Sequence, residues 1–127
     1  MAIRVGIDLV RVDSVADSVR EHAERYLQRL FTERELADCQ TGAGLSCERL
    51  ASRFAAKEAT IKVLRPGDRA LPWRAIEVRR DASGWVGLEL SGSAATLASE
   101  AGLEEFALSL THEHGLAAAV VVAQSVN

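Results

Sequence analysis

A chain of 127 residues with 48% hydrophobic content is long enough for one domain, spanning 1–127, with a real core, and too short to invite a split into two. A net charge of -3 and a pI near 5.6 leave no electrostatic footprint for nucleic acid or an anionic membrane surface, so any basic surface must be local. No charged-then-apolar leader opens the sequence, and the apolar stretch Leu116 to Ala123 is far shorter than the roughly 20 residues that span a bilayer, so a cytoplasmic protein with no membrane partner is expected.

Ile3, Val5 and Ile7 alternate with Arg4 and Gly6, the period-two pattern of a strand, and Asp8 comes at its end on the face opposite Ile7. A helix follows to about Leu30, with Val15, Val19, Ala23, Tyr26, Leu27 and Leu30 at helical spacing and Asp13 or Ser14 placed to cap it. Its other face carries Arg20, Arg25 and Arg29. Thr32 and Glu35 have capping-box spacing and predict a short helix through about Cys39, which Gly42-Ala43-Gly44 terminates. Cys39 and Cys47 are the only cysteines and have no partnering histidine cluster, so both read as reduced thiols outside any zinc site or disulfide.

Ser46 opens a long helix that should end near Leu64, because Pro66 disfavours helical geometry at Arg65. Within it Leu50, Phe54, Glu58 and Ile61 fall on one stripe, which places a carboxylate among core positions. A buried unpaired carboxylate is costly, so Glu58 is expected to face a cation or a site wall. Lys62 lies one turn on, which fits an ordinary helix salt bridge or a place for phosphate and metal. After a loop from Arg65 to Leu71, Trp73 to Arg79 and Val86, Leu88 and Leu90 read as a β-hairpin about Asp81-Ala82-Ser83-Gly84. Ser93 to Ala101 reads as a helix stopped by Gly102. Two strands then flank the turn Glu113-His114-Gly115. This order predicts an α+β domain with an antiparallel sheet packed with helices.

Asp8 and Glu58 are the acidic residues whose local pattern argues against simple exposure, and Mg²⁺ is held by one or two protein carboxylates when a substrate supplies phosphates. His112 and His114 tempt a zinc reading, but no third ligand is near. His112 reads equally as a polar residue at a strand end or as an imidazole that meets a phosphate or ribose. The arginine row of the first helix is either solvated surface or a dock for an acidic partner.

Five segments together resemble the holo-acyl-carrier-protein synthases, the small single-unit type of 4′-phosphopantetheinyl transferase. They are Gly6 to Val10, Phe31 to Leu36, Arg53-Phe54-Ala55-Ala56-Lys57-Glu58-Ala59, Trp73 to Val78, and Leu108 to His112 before an alanine-rich strand. The resemblance covers nearly the whole chain. It implies Mg²⁺-dependent transfer of 4′-phosphopantetheine from coenzyme A to a serine of an apo acyl carrier protein, with release of adenosine 3′,5′-bisphosphate. By the same resemblance Asp8 and Glu58 hold the metal, Lys62 faces the phosphates, Glu58 is the candidate acceptor of the serine proton, and Arg53 and His112 touch the nucleotide end of coenzyme A. Homotrimers with active sites between subunits are also implied, as is docking of an acidic carrier on the first helix, with Arg25 its best contact.

The chain departs from the family pattern at Arg11 and Ser14, where an acidic residue and an arginine are usual, at the loop Arg65-Pro66-Gly67-Asp68-Arg69, and at Trp85-Val86, where a proline is usual. These departures fit a changed carrier partner, such as one from a polyketide pathway. The rival reading is a catalytically idle relative that binds carrier protein or coenzyme A without transfer.

Overall fold

The computed structural model describes residues 1–125. Strand β1 (Ile3–Arg11) passes without a loop into helix α1 (Val12–Leu30), followed by α2 (Glu33–Cys39), a two-residue-per-arm hairpin of β2 (Gln40–Thr41) and β3 (Gly44–Leu45), and the long helix α3 (Cys47–Leu64). A 3₁₀ turn at Trp73–Ala75 leads into the hairpin β4 (Ile76–Arg80) and β5 (Val86–Leu90), then α4 (Gly92–Glu100), β6 (Leu103–Glu113) and β7 (Leu116–Ser125). The α+β class expected from the sequence is what the chain adopts. Its main sheet is antiparallel, in the order β1-β7-β6.

The register sorts the sheet into two faces. Gly6 opposes Val121, Asp8 opposes Ala119, and Val10 opposes Ala117, while Leu108, Leu110 and His112 continue those rows on β6. This face lies under α3, where Leu50, Ala51, Ala55, Ala56, Ala59 and Val63 are fully buried. Small residues on both sides let helix and sheet approach closely, and a Cβ built on Gly6 would lie 2.1 Å from the carbonyl oxygen of Ala59. Glycine is therefore required there by space, and the contact ties β1 to one point on α3. The opposite face leaves Ile3, Val5, Ile7 and Leu9 each more than 60% exposed.

Several local expectations are corrected. β1 does not end at Asp8 but runs three residues further, which sets Asp8 inside a hydrogen-bonded strand. Neither Asp13 nor Ser14 caps α1. The helix starts directly after Arg11, without a side-chain cap, and the Val12 amide donates to the Gly115 carbonyl in the β6–β7 turn. The stripe through Glu58 is only the margin of the buried face of α3: Phe54, Glu58 and Ile61 are half-buried, while Arg53, Lys57 and Thr60 are buried. Trp73–Ala75 is a 3₁₀ turn rather than strand. α1 leaves helical geometry once, at Ala23, whose φ of 44° divides it into two halves.

The capping box at Thr32 and Glu35, the cap of α3 by Ser46, its end at Leu64 with Arg65 in the left-handed region, and the position of His114 in a turn all match the sequence reading. Both cysteines are free thiols. Burial pushes the Cys39 thiol up to about 11.

Candidate active site

Charged side chains gather at separate places along β1, α3 and α1, and the chain builds each cluster differently. In the first, β1 presents Asp8 on the sheet face and α3 presents Glu58 and Lys62 one turn apart. The Lys62 ammonium donates to the Ile7 carbonyl at 2.7 Å and to Asp8 Oδ1 at 3.4 Å. Asp8 is 19% exposed and Lys62 53%, so the cluster opens to solvent. Burial pushes the Glu58 carboxyl above its ordinary range, the charge of Asp8 adds to the rise, and Lys62 opposes it. Two carboxylates within each other's field, partly desolvated, favour a bound cation. Gly6 explains why they meet: its contact with Ala59 fixes β1 beside the residue that follows Glu58.

The second cluster is a cleft of about 270 Å³ lined by Arg49, Arg53, Arg80, Val86 and His112 among others. His112 Nδ1 lies 3.1 Å from Glu48 Oε2. Arg53 is 5% exposed and donates through Nη1 to the Arg49 carbonyl at 3.3 Å, while its buried Nε has no partner. Three guanidinium groups against a single carboxylate suit a phosphate-bearing ligand. Arg49 precedes Arg53 by one helical turn, so spacing carried a signal for it that the sequence reading missed. Arg80 and Glu48 enter only through tertiary contact. Trp85 points outward, 77% exposed.

Within one chain the first cluster and the cleft do not merge. Asp8 lies on one edge strand of the sheet and His112 on the other, and Arg53 and Lys62 sit nine positions apart on α3, about 13 Å along the axis at 1.5 Å per residue. Among the described residues no group of three or more His, Cys, Asp or Glu side chains gathers in metal-binding geometry.

The third cluster belongs to α1. His22, Arg25, Tyr26, Arg29 and Leu30 line a cleft of about 440 Å³, and Arg20 is tied to Asp17. Arg25 and Arg29 are exposed and make no ion pair among the described residues.

In the sequence Glu35 shows only as a cap and Lys57 only as part of a motif. The structure joins them in a fully buried ion pair of 2.8 Å. Burial pulls the Lys57 ammonium below its ordinary range, against the opposing pull of Glu35.

The model of the 4′-phosphopantetheinyl transferase superfamily matches residues 4–121. A holo-[acyl-carrier-protein] synthase of Halothermothrix orenii is 38% identical over 120 residues, covering 94% of this chain and 95% of that protein. One from Chloroflexus aurantiacus is 42% identical over 130 residues, covering 93% and 95%. Among solved structures, a Chronobacterium ammoniagenes ACPS–CoA complex aligns with a TM-score of 0.85 at 31% identity over 100% of both chains. The fold and the full-length match define a phosphopantetheinyl transferase: the chain belongs to the 4′-phosphopantetheinyl transferase superfamily. Its enzyme class is that of the holo-acyl-carrier-protein synthases.

Proposed function

We propose that this single-domain protein transfers 4′-phosphopantetheine from coenzyme A to a serine hydroxyl of an apo acyl carrier protein, with Asp8 and Glu58 holding Mg²⁺ at the reacting phosphates. The observation that carries the reading is the convergence of Asp8 from β1 with Glu58 and Lys62 from α3 in one open cluster. The fit to a divalent cation rests on the oxygen donors and on the positive charge that already sits there: Lys62 takes the Asp8 carboxylate and the Ile7 carbonyl as its partners. When bound, Mg²⁺ supplies charge neutralisation as the phosphoanhydride breaks.

In this reading the serine oxygen bonds to the phosphorus that carries pantetheine, the bond to adenosine 3′,5′-bisphosphate breaks, and the serine proton passes to Glu58. Lys62 reaches the phosphates on its flexible stem, where it offsets charge on the leaving oxygen. Arg53 and His112 take the nucleotide end in their own cleft, joined by Arg49 and Arg80.

The separation of that cleft from the Asp8–Glu58 cluster supports a composite site in which neighbouring copies each supply a part. The exposed row Ile3, Val5, Ile7 and Leu9 is paired in register with Gln124, Val122, Val120 and Ala118, and from Val5 to Leu9 the two strands make an apolar face of the kind that marks an interface. We assign it to a homotrimer. Light scattering after size exclusion tests this, and a stable monomer at micromolar concentration would reject it. No helix among the described residues is long and apolar enough to cross a membrane, and two free cysteines suit a reducing compartment, so the proposal places the protein in the cytoplasm.

The deciding experiment is intact-mass spectrometry of apo carrier proteins from fatty-acid and polyketide systems incubated with the protein, coenzyme A and Mg²⁺, with and without chelator. A chelator-sensitive phosphopantetheine adduct is expected. Retention of coenzyme A with no adduct on any carrier would favour the idle relative instead.

A further inference from the structure

Among the described residues one ion pair, Glu35 and Lys57, has both side chains fully out of solvent. All three ammonium protons of Lys57 are committed: to Glu35 Oε1 at 2.8 Å, to the Trp73 carbonyl at 3.1 Å and to the Ile76 carbonyl at 2.5 Å. Both oxygens of Glu35 are committed too, Oε1 also to the Thr32 amide at 2.9 Å and Oε2 to the Val78 amide at 2.8 Å. The pair therefore joins α3 to the start of α2, the 3₁₀ turn and β4, which belongs to a hairpin separate from the main sheet.

Such a pair is a poor choice for stability alone, since well-packed apolar residues of similar volume are often as stable or more so. Its value lies in direction. The face that α3 turns to the sheet is mostly alanine, packed on the row Ala117, Ala119, Val121 and Ala123 of β7, where Val121 is the one side chain larger than a methyl group. Such a smooth contact sets distance well and rotation weakly. Gly6 against Ala59 sets the approach of β1. Lys57, held by three fixed acceptors, sets the rotation, and the next residue is Glu58.

At about 5 Å from a helix axis, a rotation of about 10° moves a group by roughly 0.9 Å. Magnesium–oxygen distances sit within about 2.0–2.1 Å and tolerate little of that. We propose that the Glu35–Lys57 pair is a positioning device for the cation site, fixing the rotation of α3 so that Glu58 is presented to Asp8. This inference rests on the reading of Asp8 and Glu58 as metal ligands given above.

The test is the apolar replacement Glu35→Leu/Lys57→Met, beside the unmodified chain, with three readouts: thermal unfolding, Mn²⁺ affinity by electron paramagnetic resonance without substrates, and kcat and KM for transfer. The expected result is a folded protein whose Mn²⁺ affinity falls at least fivefold and whose kcat falls at least tenfold, with KM for the carrier protein within twofold of the original. A folded double variant with Mn²⁺ affinity and kcat both within twofold would overturn the inference and leave the pair a structural filler.

Should the double variant fail to fold, Glu35→Gln decides. It keeps the shape and an acceptor for Lys57 but sets an amide donor against the Val78 amide. Weakened Mn²⁺ affinity in its folded fraction supports positioning, and unchanged affinity overturns it. Absence of Mn²⁺ binding by the unmodified chain would overturn the reading of Asp8 and Glu58 itself, and the inference with it. Binding that is intact in both proteins overturns the positioning alone.

Discussion

Helix α3 carries two charged clusters within six residues, and they are built on opposite plans. At Lys57 every proton has a protein acceptor, and both oxygens of Glu35 have protein donors. At Glu58 and Lys62, one and five positions on, the same kinds of group are left under-satisfied: Lys62 is half exposed and pairs with Asp8, while Glu58 makes no ion pair among the described residues. A charge cluster with its hydrogen bonds completed inside the protein has nothing left to offer a ligand, whereas an incomplete one holds its remaining affinity for something else. The difference separates architecture from chemistry on a single helix.

Removing the incomplete side should have the largest functional effect and leave the fold intact. Glu58→Ala is expected to abolish transfer, read by carrier-protein mass shift in single turnover, and near-normal turnover would remove Glu58 from the mechanism. Its neutral isostere sharpens the contrast. The folded-state pKa of Glu58 lies above its unfolded value, so its contribution to stability is present below the unfolded pKa and is lost as pH rises through the folded one. In chelator, Glu58→Gln should therefore raise the melting temperature at neutral pH and leave it nearly unchanged below the carboxylate range. A lower melting temperature at pH 7 would show that the carboxylate is satisfied after all.

The completed side should answer the opposite way. Lys57→Met alone strands a buried carboxylate, and breaking such a pair costs about 3–5 kcal/mol, read by denaturant midpoint. A loss under about 1 kcal/mol would mean that Glu35 takes up a proton or reaches water. Between the two clusters stands Gly6→Ala, whose methyl group meets a backbone carbonyl. Overpacking of this kind costs about 1–3 kcal/mol. It should also weaken Mn²⁺ binding, since β1 carries Asp8 away from α3, and a stability loss with full Mn²⁺ affinity would separate the two effects.

How far this plan was legible in the sequence follows from the range of the forces involved. Periodicity and caps gave the helices and strands to within a few residues, because Ser46, the Thr32–Glu35 box and Pro66 act locally. Asp8 and Glu58 could be singled out by pattern and resemblance, and the structure puts them in one cluster. Lys57 escaped because its partners, Glu35, Trp73 and Ile76, lie 16 to 22 positions away, and no local signal announces a buried lysine. The start of α1 was misplaced because its first amide is satisfied by Gly115, at the far end of the chain. The exposed apolar face of β1 reads in sequence like any half-buried strand, and only the placement of α3 shows which half is covered.

Lys62→Met probes the incomplete cluster more gently. The substitution removes the ammonium that now neutralises Asp8, so Mn²⁺ should bind the substrate-free protein more tightly while the single-turnover rate falls about tenfold to a hundredfold, the scale of one positioned charge or proton-transfer group. KM for the carrier should change little. Tighter metal binding with an unchanged rate would keep Lys62 as a counter-ion and remove it from the phosphates.

The smallest effect belongs to Arg25, which lies outside both plans as an exposed charge with no partner among the described residues. An exposed charge of this sort acts mainly on encounter, so Arg25→Glu should reduce kcat/KM for an acidic carrier protein several-fold at low salt, with kcat at saturation unchanged. Because screening shortens to about 3 Å in 1 M salt, the variant and the original should converge as salt is raised. Equal kcat/KM at low salt would move the docking surface off the C-terminal half of α1, and Arg29, the other unpaired arginine of that cleft, would be the next position to reverse.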